Sequence, residues 1–198
     1  MSVADQPIGR RERKKAATRR AIADAALHLF LERGYSNVGI REIATEADVA
    51  VTTLFAHFPS KEALVFEQAA NFESRLVAAV TDLAEGASLV RALHDEIAAL
   101  VQHCTAGDAT GIWRMVEQSS ELSAYAHVLE LRYAHALSDA IRTTPDMDVS
   151  VDVADAIARF AMAAFTLARQ SPTPQATLDE CFRMIDAAWM VGQRSQYT

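Results

Sequence analysis

The segment from Gly34 to Leu64, GYSNVGIREIATEADVAVTTLFAHFPSKEAL, constrains the fold more than any other part of this 198-residue chain. Its apolar residues recur at three- and four-residue spacing, which is the period of helices that bury one face. Asp48 lies between two such stretches, where a short polar side chain tolerates a left-handed turn. The order of helix, tight turn, short helix, Pro-Ser and new helix predicts a helix-turn-helix unit. An ordinary pair of packed helices is the alternative.

The composition predicts an all-α protein. Hydrophobic residues make up 51 % of the chain, whereas it has only 7 Gly and 5 Pro, and this mixture favours helices. No apolar run approaches the roughly twenty residues that span a bilayer, so we expect a cytoplasmic protein. Cys104 and Cys181 have no zinc-like spacing, so we expect reduced thiols and neither a metal nor a cofactor.

The charge is distributed unevenly along the chain. The net charge is −7 overall, but the balance is +3 over residues 1–61 and −10 over residues 62–198. Seven basic residues lie within residues 1–20. A basic end on an acidic body is typical of a protein that contacts a nucleic acid at that end only. A basic run by itself is more often a solvated surface, and the adjacent helix-turn-helix decides between the two interpretations.

The helical periods and breakers predict the following layout. A disordered arm covers residues 1–11, and a first helix runs from about Lys14 to Arg33 and ends at Gly34. After the helix-turn-helix, Ser60 caps a long continuous helix that reaches about Leu83. Five further helices follow, over residues 88–104, 109–119, 121–143, 151–169 and 174–192.

The run GY-x(4)-IREIA-x(3)-DVAVTTLFAHFPSKEAL resembles the TetR (tetracycline-repressor-like) transcriptional regulators. The resemblance is specific over residues 14–66 and covers much less of the remainder. It implies a DNA-binding helix-turn-helix domain with a basic N-terminal arm over residues 1–60. It also implies a ligand-binding and dimerisation domain over residues 61–198.

The resemblance assigns DNA contacts to single positions. Arg41 would reach base edges, because an Arg side chain can make two hydrogen bonds to guanine; the alternative is a surface Arg that pairs with Glu42 or a phosphate. The recognition helix would begin with Ala50, Val51 and Thr52. The phosphate contacts would be Thr53, Phe55, His57 and Lys61. Phe55 departs from the Tyr common in the family and cannot donate a hydrogen bond to a phosphate. His57 could equally be a packed structural residue.

The body should carry a dimer interface and a ligand pocket. Broad apolar faces on the last two helices predict a four-helix interface, with Ile157, Phe160, Ala161, Phe165, Phe182, Ile185 and Trp189; the alternative is that these faces fill a monomer core. The resemblance implies an inducer pocket, for which the candidates are Leu93, Ile97, Leu100, Val101, Trp113, Met115, Leu122, Tyr125 and Leu129. Aromatic residues and Met at helical spacing are more often plain core.

The sequence therefore predicts a homodimeric regulator, a repressor that binds a near-palindromic operator on double-stranded DNA. A small, largely apolar inducer would release it. Two other classes are an activator or architectural protein of the same fold without an inducer, and an all-helical enzyme. The enzyme is disfavoured because the chain has no Gly-rich phosphate loop, HExxH or GxSxG motif.

Overall fold

The computed structural model describes residues 9–107, 109–144, 147 and 149–194. Within these ranges the chain forms ten α-helices, one 3-10 turn at Tyr35–Asn37 and no strand, so the predicted all-α class is confirmed. The helices are α1 (Arg10–Arg33), α2 (Ile40–Glu46), α3 (Val51–His57), α4 (Glu62–Val65), α5 (Ala69–Thr81), α6 (Leu89–Thr105), α7 (Ala109–Gln118), α8 (Ser120–Thr143), α9 (Val151–Gln170) and α10 (Pro174–Arg194). None of the described helices is long and apolar enough to cross a membrane.

Serine side chains define where three body helices begin. The hydroxyls of Ser88, Ser119 and Ser150 each accept a hydrogen bond from the backbone N–H three residues later, at 3.3 Å. Each bond satisfies one of the amide groups that the first turn of a helix leaves without a partner. Because this signal is local, the predicted starts of α6, α8 and α9 agree with the structure to within a residue.

The first three helices enclose a small core of their own. Ile22 and Phe30 from α1 meet Ile43 from α2 and Leu54 from α3, and all four are buried. Gly34 ends α1 with φ at 83°, a backbone conformation that side chains with a Cβ rarely adopt. Its N–H donates to the carbonyl of Phe30 at 2.9 Å and closes the last turn. We call helices α1 to α3 the head.

The prediction of one continuous helix after Ser60 is wrong. The Ser60 hydroxyl accepts from the Ala63 N–H at 3.3 Å, as expected of a cap, but α4 ends at Val65 and α5 begins at Ala69. Phe66 leaves helical geometry, with φ −106° and ψ 42°. No Gly or Pro lies in this stretch, so local propensity does not explain the break.

Tertiary contacts explain the break. The Phe66 ring stacks on Tyr125 at 5.5 Å and meets the edge of Trp113 at 6.1 Å. Arg19 of the head donates to the Glu67 carbonyl at 3.4 Å, and its Nε lies 3.5 Å from the Glu67 carboxylate. These contacts with α1, α7 and α8 outweigh the modest helix preference of three residues.

The head also packs directly against the body. Val116, Leu122 and Ala126, from α7 and α8, are buried in the same apolar cluster as the head core. α7 approaches α1 closely, since a Cβ added at Gly111 would lie 3.3 Å from the Leu31 Cδ2 atom. The two parts are therefore joined by α7 and α8 as well as by the segment after Ser60.

The body core is built around α6. This helix packs against α5, α7, α9 and α10, and α9 lies between α8 and α10. Leu93 and Ile97 on α6 are completely buried, as are Leu137 and Ile141 on α8. We expect this cluster to contribute most of the stability of the body, because apolar burial is the main favourable term in folding.

His94 links α6 to α10 through its contact with Asp179, and we expect this contact to make the stability of the protein depend on pH. Its Nε2 lies 2.8 Å from the Asp179 carboxylate and its Nδ1 lies 3.1 Å from Asp95. Burial lowers the pKa of His94, but the two carboxylates outweigh burial and the net shift is upward. Arg91, Arg183 and Asp186 line the same cleft.

The pKa of His94 is higher in the native state than in the unfolded state. The stabilisation that His94 provides is therefore complete below the ordinary His pKa and is lost as the pH rises through the native pKa. We expect urea denaturation to show lower stability at about pH 8 than at about pH 6, where His is charged. The variant His94→Gln should lose most of that difference. An equal pH dependence in this variant would show that other groups control it.

Candidate functional site

The turn between α2 and α3 has the geometry of a helix-turn-helix. Asp48 has φ at 51°, which confirms the predicted left-handed residue. The Val49 N–H donates to the Ala44 carbonyl at 2.9 Å and fixes the angle between the two helices. Leu54 and Phe58 are fully buried and anchor α3 on the head core. The opposite side of α3 therefore faces solvent.

Seven of the eight predicted DNA contacts are at least partly open to solvent, six of them on or beside α3 and Arg41 on α2. Ala50, Thr52, Phe55 and Arg41 are exposed, and Val51, Thr53 and His57 are half-buried. Phe55 keeps 48 % of its surface exposed, which is high for a large apolar side chain. An exposed aromatic side chain on such a short helix fits contact with another surface.

Arg41 is exposed on α2, and its charge is not paired with the carboxylate next to it. The Glu42 carboxylate, its suggested alternative partner, accepts from the Gly39 N–H at 2.7 Å and pairs with Arg33 at 3.3 Å. Within the described part of the chain, Arg41 has no ion pair. The Glu42 to Gly39 bond is one half of a capping box. Glu42 thus leaves Arg41 free for another anion.

Lys61 points inward, away from the side of α3 that faces solvent. Its Nζ donates to the Tyr35 carbonyl at 2.6 Å and lies 4.1 Å from the centre of the Tyr35 ring. Desolvation lowers the pKa of Lys61, against the attraction of nearby carboxylates. The residue that the resemblance assigns to a phosphate therefore has a structural partner within the head.

We expect Lys61→Met to lower the free energy of unfolding by about 1–2 kcal/mol, because the Tyr35 carbonyl loses a charged donor while the aliphatic stem is kept. Urea denaturation measures this, with Lys15→Met, on the exposed side of α1, as the control. Unchanged stability combined with weaker binding to any DNA duplex would instead assign Lys61 to a phosphate.

Arg19 is a residue of this site that the sequence analysis missed. Its guanidinium donates to the His57 carbonyl, the last residue of α3, and lies 4.1 Å from the centre of the Phe58 ring. The same group holds Glu67 in the break between α4 and α5. The sequence shows Arg19 only as one of a basic run, and no local pattern identifies its distant partners.

The basic segment at the N-terminus is helical from Arg10 onward, which corrects the expected helix start near Lys14. Residues 1–8 of the predicted arm lie outside the described residues. The exposed cationic side chains on the first turns of α1 are Arg10, Arg11, Arg13, Lys14, Lys15 and Arg20. They form a positive surface on the head that suits a phosphate backbone.

The body contains an apolar cavity of about 160 Å³. Its walls come from α5, α6, α7, α8 and α9, and include Phe72, Trp113 and Phe165. The break between α4 and α5 forms part of the lining, from Val65 to Ala69. A molecule in this cavity would thus contact the segment that Arg19 ties to the recognition helix.

The nine predicted ligand-binding residues are only partly brought together here. Leu100, Trp113 and Leu129 line the cavity, and Tyr125 supports it through the stack on Phe66. The other five lie elsewhere: Leu93, Ile97 and Val101 in the body core, and Met115 and Leu122 with the head cluster. The cavity also has lining residues that were not predicted, among them Phe66, Phe72 and Phe165.

The polar groups around the cavity are few. Glu67 and Glu130 contribute carboxylates, and Glu130 accepts from the Thr166 hydroxyl at 3.0 Å. His103 packs edge-on to Phe72 at 5.4 Å. Burial raises the pKa of the Cys104 thiol to about 11, so this free cysteine stays protonated at neutral pH. The cavity is therefore suited to a molecule that is largely apolar.

The predicted dimer residues require a correction. Ile157, Ala161, Phe165, Phe182, Ile185 and Trp189 are all at most 9 % exposed within one chain, and only Phe160 is outward, at 53 %. The inner faces of α9 and α10 cover each other and α6, so these side chains already have partners. Large apolar side chains do remain exposed on neighbouring helices: Val128 and Leu131 on α8, Phe160 and Leu167 on α9, and Met184 on α10. We call these five residues the outer apolar face.

Comparison with known proteins agrees with this geometry. Residues 22–67 match the family described as bacterial regulatory proteins, tetR family. The regulator TcmR of Streptomyces glaucescens is 28 % identical over 124 residues, which cover 59 % of this chain and 55 % of TcmR. The chain thus spans little more than half of that relative's length.

Two solved structures share the fold over most of the chain. NalD of Pseudomonas aeruginosa, the secondary repressor of the MexAB-OprM multidrug efflux pump, has a TM-score of 0.56 and 19 % identity, covering 87 % of this chain and 96 % of NalD. SmeT in complex with triclosan has a TM-score of 0.59 and 16 % identity, covering 87 % and 91 %.

The helix-turn-helix geometry and the match over residues 22–67 define a DNA-binding head of the tetR family. The predicted resemblance is confirmed, and the relatives that the chain matches are transcriptional regulators and not enzymes.

Proposed function

We propose that this protein is a homodimeric repressor that acts in the cytoplasm on a near-palindromic operator. The observation that carries the proposal is the exposed side of α3, together with the exposed Arg41 on α2, which has no ion pair with the described residues. Arg41 would grip a guanine through two hydrogen bonds, and Val51 would contact a thymine methyl group. Thr53 would donate to a phosphate.

A dimer follows from the size of the reading unit. One helix-turn-helix contacts too few base pairs for useful specificity, whereas two related by a two-fold axis read a palindrome. The outer apolar face supplies a surface for self-association, because exposed apolar side chains on adjacent helices favour burial against a partner. NalD is named as a repressor, which supports the same role here.

An inducer would bind in the apolar cavity and lower operator affinity. The cavity supports this part of the proposal, and so does the complex of SmeT with the small molecule triclosan. A hundredfold effect requires the ligand to bind the DNA-free state more tightly by about 2.7 kcal/mol. The break between α4 and α5 would carry the change, since it contacts both the cavity and Arg19. An activator or architectural protein without an inducer would not need this cavity, so the cavity favours the inducible repressor.

Operator footprinting with the purified protein tests the proposal. We expect protection of a near-palindrome upstream of the gene itself or of a divergent neighbour. Release assays then follow with decanol and triclosan as apolar probes, which should displace the protein from the protected duplex. Protection of an asymmetric site by a monomer would contradict the dimeric repressor. Tight operator binding that no apolar probe alters would support the inducer-free class.

A further inference from the structure

A polar cleft lies on the other side of Trp113 from the apolar cavity. It opens between the end of α9, the start of α10 and α7, and Arg114, Glu117, Arg169 and Ser171 line it. Cys104 and Trp113 line both the cleft and the cavity. Only these two side chains are shared, and they form the wall between an apolar space and a cationic one.

Arg169 is the unusual group in the cleft. Its side chain is only 7 % exposed, its Nη1 donates to the Glu117 carboxylate at 2.9 Å, and its guanidinium lies 4.0 Å from the centre of the Trp113 ring. Its Nε is covered from solvent and has no acceptor among the described residues. A buried guanidinium with an unused donor is costly, and in a native protein it calls for an explanation, of which a bound anion is one.

The charges around Arg169 favour an anion. Glu117 is half-exposed, so water competes for the one carboxylate that Arg169 contacts. Arg114 adds a second, exposed cation that has no ion pair with the described residues. The first turn of α10 begins beside the cleft at Pro174, and a helix N-terminus attracts negative charge. Arginine, with its planar fork, is the side chain best matched to a carboxylate.

We propose that the ligand of this protein is an amphiphilic carboxylate, with its hydrocarbon part in the apolar cavity and its carboxylate on Arg169. This inference rests on the proposed function and specifies the class of inducer. In the bound state the ligand carboxylate replaces Glu117 on the guanidinium, which requires Trp113 and Cys104 to move apart. A carboxylate held inside the apolar cavity is disfavoured, because Glu67 and Glu130 line that cavity and repel an anion.

Three chain-matched probes test the inference on the full-length protein: decanoate, decanol and decylamine. Isothermal titration calorimetry below the micelle concentration gives each affinity. We expect decanoate to bind at least about tenfold more tightly than decanol, as a charge-assisted bond to Arg169 implies. Tighter binding of decylamine would assign recognition to Glu67 and Glu130 and overturn the inference. Equal affinities would overturn it too, while the apolar inducer site of the proposed function would stand.

A gain-of-affinity variant avoids the risk of unfolding. Glu117→Gln removes the competing carboxylate, so we expect decanoate to bind several-fold more tightly and decanol to bind as before. Glu85→Gln, an exposed residue of the α5–α6 connection, is the matched control for the lost negative charge and should change neither affinity.

Arg169→Lys keeps the charge but lacks the fork, and it should bring the decanoate affinity close to that of decanol. A decanoate preference that survives in Arg169→Lys, or an unchanged affinity in Glu117→Gln, would show that the carboxylate does not bind at Arg169. If no probe binds, this inference and the inducer part of the proposed function both fail. The proposal that the head binds an operator would not be affected by this result.

Discussion

The double variant Phe160→Glu with Leu167→Glu is expected to be a folded monomer that has lost most of its operator affinity. Both side chains are more than half exposed in a single chain, at 53 % and 55 %, so acidic residues there do not disturb the core. In a dimer they would place like charges within a desolvated apolar interface. A monomer retains roughly half of the 4–10 kcal/mol that separates specific from non-specific binding, so affinity should fall at least about 30-fold.

Sedimentation equilibrium and operator titration measure the two effects. Val151→Glu is the matched control, because Val151 is also exposed on α9, at 55 %, but lies on the opposite side of the helix from Phe160 and Leu167 by the 3.6-residue period. The control should remain dimeric and bind the operator normally. A double variant that stays dimeric would remove the outer apolar face as the interface.

The variant Arg19→Met is expected to destabilise the head by about 2–3 kcal/mol and to weaken operator binding. The change removes a charged donor from the His57 carbonyl and an ion partner from Glu67, and charged hydrogen bonds of this kind contribute about 1.5–3 kcal/mol. The end of the recognition helix then loses its hydrogen bond to Arg19 of α1. The break between α4 and α5 loses its ion pair with the same residue.

Guanidinium denaturation and operator titration at a temperature where the variant remains folded separate the two consequences. Arg20→Met is the control, since the Arg20 side chain is 84 % exposed and its one ion pair with a described residue is to Asp24, at 3.9 Å. The control changes the charge of α1 by the same amount but removes no buried contact. If both variants lose operator affinity equally with unchanged stability, Arg19 acts only through its charge on DNA.

Most of the helix boundaries were predictable from the sequence, because their signals are local. Gly34 ends α1 through a positive φ, and Ser60 accepts the hydrogen bond expected of a cap. Asp48 takes the left-handed conformation that a short polar residue tolerates. Each of these outcomes depends on a few neighbouring residues, so a single sequence contains the information.

The candidate site was predictable in part. The outward residues of α3 follow from the helical period once Leu54 and Phe58 are placed inward. The inward direction of Lys61 does not follow from the helical period, because its partner Tyr35 lies 26 residues earlier in the chain. The polar cleft also escaped prediction, since Trp113, Glu117 and Arg169 come from two helices whose relative placement no local pattern reports.

By itself, the sequence determined the all-α class, the helix-turn-helix and the order of helices, since periodicity and caps act within a few turns of chain. Tertiary structure alone decided three other features: the break at Phe66, the direct packing of head on body, and the burial of the inner faces of α9 and α10. Periodicity shows that a helix face is apolar, but it does not show which neighbour covers it. That choice depends on the free energy of the whole packed core, to which residues far apart in the chain contribute together.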